Sequence, residues 1–187
     1  MALEQLSSST GFDVITVSDI TKLADVHRST FYRHYRDKFH MIETLHADGT
    51  RNGLSSLLAA TGHPVAPCRF VAALVEVLEH FAAYRSLYHA LLVHRRSTWF
   101  EQWLNAHWTE LIHRMYSSPS SSLALPGIND AVIDLRTRIT VETSLATLKW
   151  WVQGDCPLTA GQLACWYTRH MTNGLSRTVM PCPSGIH

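Results

Sequence analysis

The stretch "ITVSDITKLADVHRSTFYRHYRDK", residues Ile15–Lys38, decides the fold of this 187-residue chain. Thr16 is followed three residues later by Asp19, which is the spacing of a capping box, in which each side chain bonds the other residue's backbone N–H. The buried side of the helix that follows is predicted to consist of Val17, Ile20, Leu23 and Ala24. A turn at residues 25–27 then leads directly into a second short helix. Two short helices joined by so tight a turn form a helix-turn-helix.

The second short helix has two chemically different sides. Phe31 and Tyr35 are four residues apart, so both are expected to face inward. Arginine can bridge guanine O6 and N7, and threonine can meet base edges, when a helix lies in the major groove of DNA. The outward positions, which carry such groups, are Arg28, Ser29, Thr30, Tyr32, Arg33 and Arg36.

Charge supports a DNA-binding face only locally. The net charge of the chain is +1, which excludes the general attraction of a strongly basic protein for nucleic acid. Between Lys22 and Lys38, however, the sequence has five Lys and Arg residues and only two carboxylates, those of Asp25 and Asp37. A basic helix alone is more often a solvated surface. Here the cap, the turn, the aromatic spacing and the clustered cations agree, and together they favour DNA binding.

Helical patterns also dominate the rest of the chain, so we predict an all-α fold. Apolar residues recur at spacings of three and four over 69–95, 97–115, 129–154 and 159–171. Capping residues predict helix starts at Ser97 or Thr98, at Asn129 or Asp130, and at Thr159. We expect two domains, a helix-turn-helix domain over 1–46 and a larger helical domain over 47–187. The chain has no apolar run near the roughly 20 residues of a membrane helix and no secretory signal pattern, so we expect a cytoplasmic protein with no membrane contact.

Residues Ile15–Ile42 resemble the DNA-binding segment of the TetR family of bacterial transcriptional regulators. That segment has a threonine that opens one helix, a short helix that ends in tyrosine, any residue, histidine and an aromatic residue, and a lysine that starts the next helix. These features fall here on Thr16, Tyr32, His34, Tyr35 and Lys38. A second stretch, "LATLKWWVQGDCPLTAGQLA" over Leu145–Ala164, is similar to the carboxyl-terminal domain of one TetR subgroup.

The resemblance implies a homodimer that binds a roughly palindromic double-stranded operator, with the two recognition helices in successive major grooves ~34 Å apart. It implies that Thr16 and the amides of Val17 and Ser18 grip a phosphate at a helix start. It further implies that some side chains read DNA bases and that others contact the DNA backbone. Arg28 and Ser29 could do either. The implied readers are Arg28, Thr30 and Arg33, and the implied backbone contacts are Tyr32, His34 and Lys38.

By the same resemblance, the larger domain senses a small-molecule effector and the protein acts as a repressor. An effector relieves repression only if it binds better to a conformation in which the two DNA helices do not fit the grooves. The effector could occupy a pocket lined by aromatic residues at helical spacing, although the same residues could be ordinary core. These residues are Phe81, Tyr84, Tyr88, Trp99, Trp103, Trp108 and Met115.

The last two helices offer a surface for dimerisation. Their apolar residues could form half of a four-helix bundle across a two-fold axis, or could cap the core of their own protomer. The candidate interface residues are Leu135, Ile139, Leu145, Leu148, Trp151, Leu163, Trp166 and Tyr167.

Two features depart from the TetR pattern. The stretch "ALEQLSSSTGFD", residues 2–13, makes up most of the fourteen residues that precede Ile15, where family members have a first helix of a dozen or more residues. We expect a shortened first helix to leave the apolar backs of the next two helices exposed and to weaken DNA binding. The alternative function is therefore a dimeric helical ligand-binding or interaction protein that has lost operator binding. Asp25 and His27 also stand where glycine and a small capping residue are common, and histidine is expected to cap poorly.

The sequence offers little for metal binding or catalysis. His80, His89, His94, His107 and His113 lack the spacing to each other and to a carboxylate that a zinc enzyme requires. The four cysteines are not closely paired, and no glycine-framed serine or phosphate-binding glycine loop is present. We therefore predict no metal, no cofactor and no enzymatic activity.

Overall fold

The computed structural model describes residues 5–6, 10–60, 67–94, 96–118 and 129–176. Within these ranges every regular element is helical, which confirms the predicted all-α fold. The elements are α1 (Val17–Leu23), α2 (Arg28–His34), α3 (Lys38–Ala60), α4 (Pro67–Ala83), α5 (Arg85–His89), a π-helical turn (Ala90–His94), α6 (Thr98–Ser117), α7 (Asp130–Gln153) and α8 (Ala160–Ser176).

The predicted starts of the three later helices are confirmed by their side-chain caps. Ser97 Oγ accepts the backbone N–H of Phe100 at 3.2 Å at the start of α6. Asn129 Oδ1 accepts the N–H of Val132 at 3.0 Å at the start of α7. Thr159 does the same for Gln162 N–H at 3.1 Å at the start of α8. Each cap satisfies a donor that the first turn of a helix leaves without an intrahelical partner.

The prediction of one continuous helix over 69–95 is wrong at Tyr84. This residue has φ −111° and ψ 31°, so α4 ends at Ala83 and the short α5 begins at Arg85. No glycine or proline marks the break in the sequence. The redirected backbone buries Leu87 and Tyr88, each only 1% exposed. Packing of these two large side chains therefore accompanies a break that local propensity does not encode.

The turn between α7 and α8 also differs in detail from the expectation. The helix does end at Gly154, but this glycine has an ordinary φ of −81°. The left-handed conformations fall on the next two residues, Asp155 (φ 62°) and Cys156 (φ 52°). Trp151 braces the turn, because its Nε1–H donates to Leu158 O at 2.8 Å.

The helices pack around one hydrophobic core. Helix α3 lies against α4, α4 also lies against α8, and α6 lies against α7. Gly53 allows the α3–α4 contact, since a Cβ there would lie 2.7 Å from Val77 Cγ2 and 2.8 Å from Ala73 O. Helix α3 runs without a break through the predicted domain boundary at residue 46, so both predicted domains would share this helix. None of the helices in the described ranges is long and apolar enough to cross a bilayer.

Candidate nucleic-acid interface and candidate sensor core

Thr16 and Asp19 form the predicted capping box at the start of α1. Asp19 N–H donates to Thr16 Oγ1 at 3.2 Å, and Thr16 N–H donates to Asp19 Oδ2 at 2.9 Å. The Thr16 hydroxyl also donates to Asp19 Oδ2 at 2.6 Å, and these hydrogen bonds lower the pKa of Asp19. The Thr16 hydroxyl proton is therefore already used within the protein. The groups left for a phosphate here are the amides of Val17 and Ser18, which the first turn leaves without helical acceptors.

The two sides of α2 separate as the sequence predicts. Phe31 is 6% exposed, and its ring lies 5.4 Å from that of the half-buried Tyr35. The predicted DNA-binding positions of α2 are exposed, except that Thr30 is half-buried; they are Arg28, Ser29, Tyr32, Arg33 and His34. Helix α2 thus offers a polar, basic side to solvent while an aromatic side holds it to the protein.

Arg28 and Tyr32 are held together on the exposed side of α2. Arg28 Nη2 donates to Tyr32 Oη at 3.4 Å, and the guanidinium carbon lies 5.9 Å from the centre of the Tyr32 ring. Arg33 has no side-chain hydrogen bond or ion pair to any residue in the described ranges. Its five guanidinium N–H donors are therefore available for a bidentate base contact.

The turn between α1 and α2 shows how the sequence replaces the residues common in the family. Asp25 has φ 51°, a left-handed conformation that glycine adopts more readily. His27 is the N-cap of α2: its Nδ1 accepts Ser29 N–H at 3.3 Å and lies 2.7 Å from Ser29 Oγ. His27 therefore does cap α2, with a ring nitrogen that accepts in place of a small hydroxyl, although its 3.3 Å distance to Ser29 N is long for a hydrogen bond.

Lys38 has a different position from the one implied by the resemblance. Its Nζ donates to three backbone carbonyl oxygens, those of Phe12 (2.8 Å), Asp13 (2.8 Å) and Ile15 (2.7 Å). Burial lowers the pKa of this ammonium, and the Asp13 carboxylate opposes that shift. An ammonium has three donors, so all of them are used inside the protein. Lys38 holds the segment before α1 against the start of α3, and no donor remains for a phosphate in this arrangement.

The expectation that the backs of α1 and α2 are exposed is wrong for Ile20 and Phe31 but not for Leu23, which was predicted to be buried in α1 and is 43% exposed. Ile20 and Phe31, on those backs, are 5% and 6% exposed. The segment before α1 is itself packed, since Phe12 is buried with its ring 5.7 Å from Phe39 and 5.9 Å from Trp99. Phe12 and Lys38 thus join the segment before Thr16 to the start of α3.

Most of the predicted pocket residues lie in a connected aromatic cluster. Phe81 and Tyr88 are buried with ring centres 4.4 Å apart, and Trp108 lies 6.2 Å from Phe81. Trp99 and Trp103 are half-buried and stack at 6.1 Å. Two further predicted pocket residues lie elsewhere. The Tyr84 ring centre is 5.0 Å from that of His80, at the break between α4 and α5. Met115 is buried on α6, ~18 Å along the helix from Trp103 at a rise of ~1.5 Å per residue.

An open groove of about 590 Å³ between α6 and α7 lies outside this cluster. Its lining residues carry both charge signs, and none of the predicted aromatic pocket residues is among them. The lining consists of Asn105, Ala106, Thr109, Glu110, His113, Arg114, Arg138, Val141 and Glu142.

His46 is the chemically distinctive residue that the sequence reading missed. It is 1% exposed in the middle of α3, and its Nδ1 lies 3.3 Å from the Tyr88 hydroxyl. Burial, followed by the neighbouring His107 and His80, lowers the pKa of His46 to about 3. A signal was present in the sequence, because His46 falls at helical spacing between the buried residues Ile42 and Thr50.

The candidate interface residues of α7 and α8 divide into two groups. Leu145, Leu148, Trp151 and Leu163 are at most 5% exposed and pack in the core of their own protomer, which corrects the expectation that they form a dimer surface. Tyr167 is half-buried, with its hydroxyl 2.6 Å from Ser144 Oγ. The candidate residues that are exposed to solvent are Leu135, Ile139 and Trp166. Trp150, which was not predicted as an interface residue, is exposed as well.

Within the described ranges, no three His, Cys, Asp or Glu side chains are grouped as a metal ion would require. Taken together, an all-α fold with a packed helix-turn-helix and an exposed basic recognition helix defines the class of helix-turn-helix DNA-binding regulators.

Comparisons with known proteins identify a domain of this kind at the amino terminus. Residues 2–45 match the model of the bacterial regulatory proteins of the tetR family, so the chain carries the amino-terminal domain of TetR-type regulators. No curated protein matches the chain.

Two solved structures share the fold over nearly the whole chain. One is the dihydroxyacetone kinase operon activator DhaS, with 15% identity, a TM-score of 0.56, and coverage of 94% of this chain and 92% of that chain. The other is the fatty acid degradation regulator FadR from Bacillus halodurans, with 17% identity, a TM-score of 0.60, and coverage of 93% and 92%. At such identities the likeness concerns the fold. The matched family and both neighbours are described as regulators rather than enzymes.

Proposed function

We propose that this chain is a transcriptional repressor that binds a palindromic operator as a homodimer and is released by a small-molecule effector. The observation that carries the proposal is the arrangement of α2, whose aromatic side is buried through Phe31 while Arg28 and Arg33 face solvent. A helix fixed in this way can enter a major groove without losing its support.

The proposed roles in DNA binding follow from the free hydrogen-bonding groups. Arg33 reads a base edge, because its guanidinium is exposed and unpaired among the described residues. Arg28 and Tyr32 act as a pair, with the tyrosine hydroxyl directing the guanidinium. The amides of Val17 and Ser18 and the side chain of His34 contact phosphates. Lys38 acts from inside the protein, by fixing the helix-turn-helix to the segment before α1.

The proposed dimer uses the exposed apolar residues of α7 and α8. Val132, Leu135, Ile139 and Trp150 recur along α7 at spacings of three, four and eleven, which places them on one side of that helix. Trp166 on α8 is 71% exposed, which is unusually high for a tryptophan side chain. A two-fold arrangement that buries this side would supply the second recognition helix that a palindromic operator requires.

The test is a mobility-shift assay of the full chain on the DNA that flanks its own gene, with a random duplex of equal length as control. We expect a shift at lower protein concentration on the flanking DNA and a loss of that preference with Arg33→Ala. Equal binding to both duplexes would contradict the operator proposal. A reporter gene then tests the direction of control: removal of the regulator should raise transcription, whereas a fall would show activation instead.

A further inference from the structure

A polar cluster lies inside the aromatic core, where α3, α4 and α5 meet α6. The Tyr88 hydroxyl lies 2.7 Å from His80 Nε2 and 3.3 Å from His46 Nδ1. A hydroxyl has one proton, so Tyr88 donates to one imidazole and accepts from the other. Gly49 makes room for this cluster, because a Cβ at that position would collide with the His80 ring.

This arrangement leaves one buried polar atom without a partner. His46 Nε2 is inaccessible to solvent and has no hydrogen bond to any of the described residues. Whichever way the Tyr88 proton is shared, Nε2 is either a donor without an acceptor or an acceptor without a donor. Such an atom lowers the stability of the folded chain, and its presence calls for a specific explanation.

The surroundings of His46 are planar rings. The His46 imidazole is nearly perpendicular to Trp103 (88°, 5.3 Å between ring centres) and to His107 (86°, 5.8 Å). Trp103 and His107 themselves stack face to face at 5.3 Å with an angle of 5°. Both are half-buried, whereas His46 is fully buried. A ligand entering from solvent beside this ring pair would meet aromatic surfaces before it reached His46.

The electrostatics at the cluster favour an acid as the ligand. The titratable groups that act on His46 are two further imidazoles, His80 on α4 and His107 on α6. Tyr88 on α5 is neutral, because burial raises its pKa. Burial lowers the pKa of His107; of its charged neighbours, Glu110 raises that pKa and Arg114 lowers it. The buried groups next to His46 can therefore gain positive charge but cannot supply a negative one.

We propose that His46, with His107 and Trp103 beside it, is the polar anchor of a binding site for a small aromatic carboxylate. The carboxylate pairs with His46 Nε2, and the aromatic ring packs with Trp103 and His107. This assignment names the ligand class for the effector site and rests on the proposed sensor function for its biological meaning.

Proton uptake is the signature of this site. Burial keeps the His46 pKa far below its usual range in the free protein, so His46 is neutral near pH 7. A bound carboxylate favours the charged imidazole and raises that pKa, so binding takes up about one proton. Affinity should therefore increase as the pH falls from 8 to 6, while the free ligand remains ionised.

The experiment is isothermal titration of the full chain with benzoate and with 2-naphthoate, in two buffers of different ionisation enthalpy. Benzamide serves as the neutral counterpart and hexanoate as the non-aromatic acid. We expect at least one of the two aromatic carboxylates to bind with proton uptake, and benzamide and hexanoate to bind at least about tenfold more weakly. No binding of either aromatic acid at millimolar concentration, or equal binding of benzamide or hexanoate, would overturn the assignment.

Two variants separate this site from general effects on the fold. His46→Phe keeps a ring in the core and removes the unpaired atom, so it should fold at least as stably as the wild type and bind the aromatic acid at least about tenfold more weakly. His113→Gln alters an exposed histidine of α6 and should bind normally. Unchanged affinity of a folded His46→Phe protein contradicts the proposal. Since these titrations contain no DNA, they can succeed when the operator assay fails, and the reverse also holds.

Discussion

Ser97 Oγ, the capping atom of α6, donates a 2.5 Å hydrogen bond to the Asp13 carboxylate, 84 residues away in the chain. The other carboxylate oxygen accepts Thr98 N–H at 3.3 Å. The Asp13 carbonyl oxygen meanwhile accepts from Lys38 Nζ. Asp13 therefore joins the start of α6, which carries Trp99 and Trp103, to the lysine that fixes the helix-turn-helix.

We expect Asp13→Ala to lower the free energy of unfolding by about 1 kcal/mol, since two hydrogen bonds to a charged but exposed acceptor are lost. If the start of α6 transmits the effector signal, this variant should also weaken the effect of ligand on DNA binding. Urea unfolding measures the first effect, and mobility shifts with and without ligand measure the second. Asp13→Asn retains one acceptor oxygen, so its free energy of unfolding should lie between those of the wild type and Asp13→Ala. An unchanged stability of Asp13→Ala would show that the contact contributes nothing.

Asp25→Gly should stabilise the protein by about 0.5 to 1 kcal/mol, because Asp25 has φ 51° and glycine adopts this conformation without the Cβ clash. The substitution also removes a carboxylate near the DNA-binding side. Asp25→Asn removes the same charge but keeps the Cβ, so it separates conformation from charge in thermal melts and in DNA titrations. Asp25→Val should destabilise, since β-branched residues tolerate this region poorly. A Val variant as stable as wild type would contradict the conformational explanation.

The local features of the helix-turn-helix could be predicted from the sequence because their causes are local. Thr16 and Asp19 are three residues apart, and Phe31 and Tyr35 are four apart, so spacing alone determines that each pair can meet. Lys38 is different. Its acceptors are backbone carbonyls more than twenty residues earlier, and a carbonyl leaves no mark in the sequence. The resemblance to the TetR segment therefore implied a phosphate contact for a lysine whose donors are used inside the protein.

In the sensor core and the proposed interface, too, the features that could not be predicted depend on contacts between distant parts of the chain. Trp150 and Trp151 are adjacent, yet Trp150 is 52% exposed and Trp151 is 1% exposed. The side of α7 that faces the core depends on how α6 and α7 pack, which residue type does not reveal. His46 was overlooked because histidine is common on surfaces, although its helical spacing from Ile42 indicated burial.

Arg33 and Lys38 should give opposite results when each is replaced by alanine. Arg33→Ala should weaken operator binding by about 1 to 3 kcal/mol, with little change on random DNA and an unchanged melting temperature, since its side chain is exposed and unpaired among the described residues. Lys38→Ala should lower the free energy of unfolding by about 2 kcal/mol, because three backbone carbonyls, two of them on the buried residues Phe12 and Ile15, lose a charged donor. Mobility shifts and thermal melts on the same preparations measure both effects. Arg51→Ala, on the exposed side of α3, controls for the loss of a positive charge.

The stability of the protein should fall when the pH is lowered from 7 to 5. The His46 pKa is about 3 in the folded protein and near 6.5 when unfolded, so between these values the unfolded chain binds more protons. His46 alone should then remove about 2 kcal/mol at pH 5, and His80 and His107, whose pKa values burial also lowers, act in the same direction. Urea unfolding at both pH values measures the loss. His46→Phe should reduce it by about 2 kcal/mol, and an equally steep loss in that variant would show that His46 is not the titrating group.

Ile139→Arg should convert the proposed dimer to monomers without unfolding the protein. Ile139 is 51% exposed on the apolar side of α7, so an arginine there is tolerated in a single protomer but would be buried unpaired across a two-fold interface. Sedimentation velocity at micromolar concentration measures the change, and circular dichroism confirms the fold. Val14→Arg is the matched control, because Val14 is 71% exposed and lies outside α7 and α8. The Ile139 variant should also lose operator affinity, since one recognition helix spans only half of a palindrome. A wild-type protein that sediments as a monomer, or an Ile139→Arg protein that remains dimeric, would place the interface elsewhere.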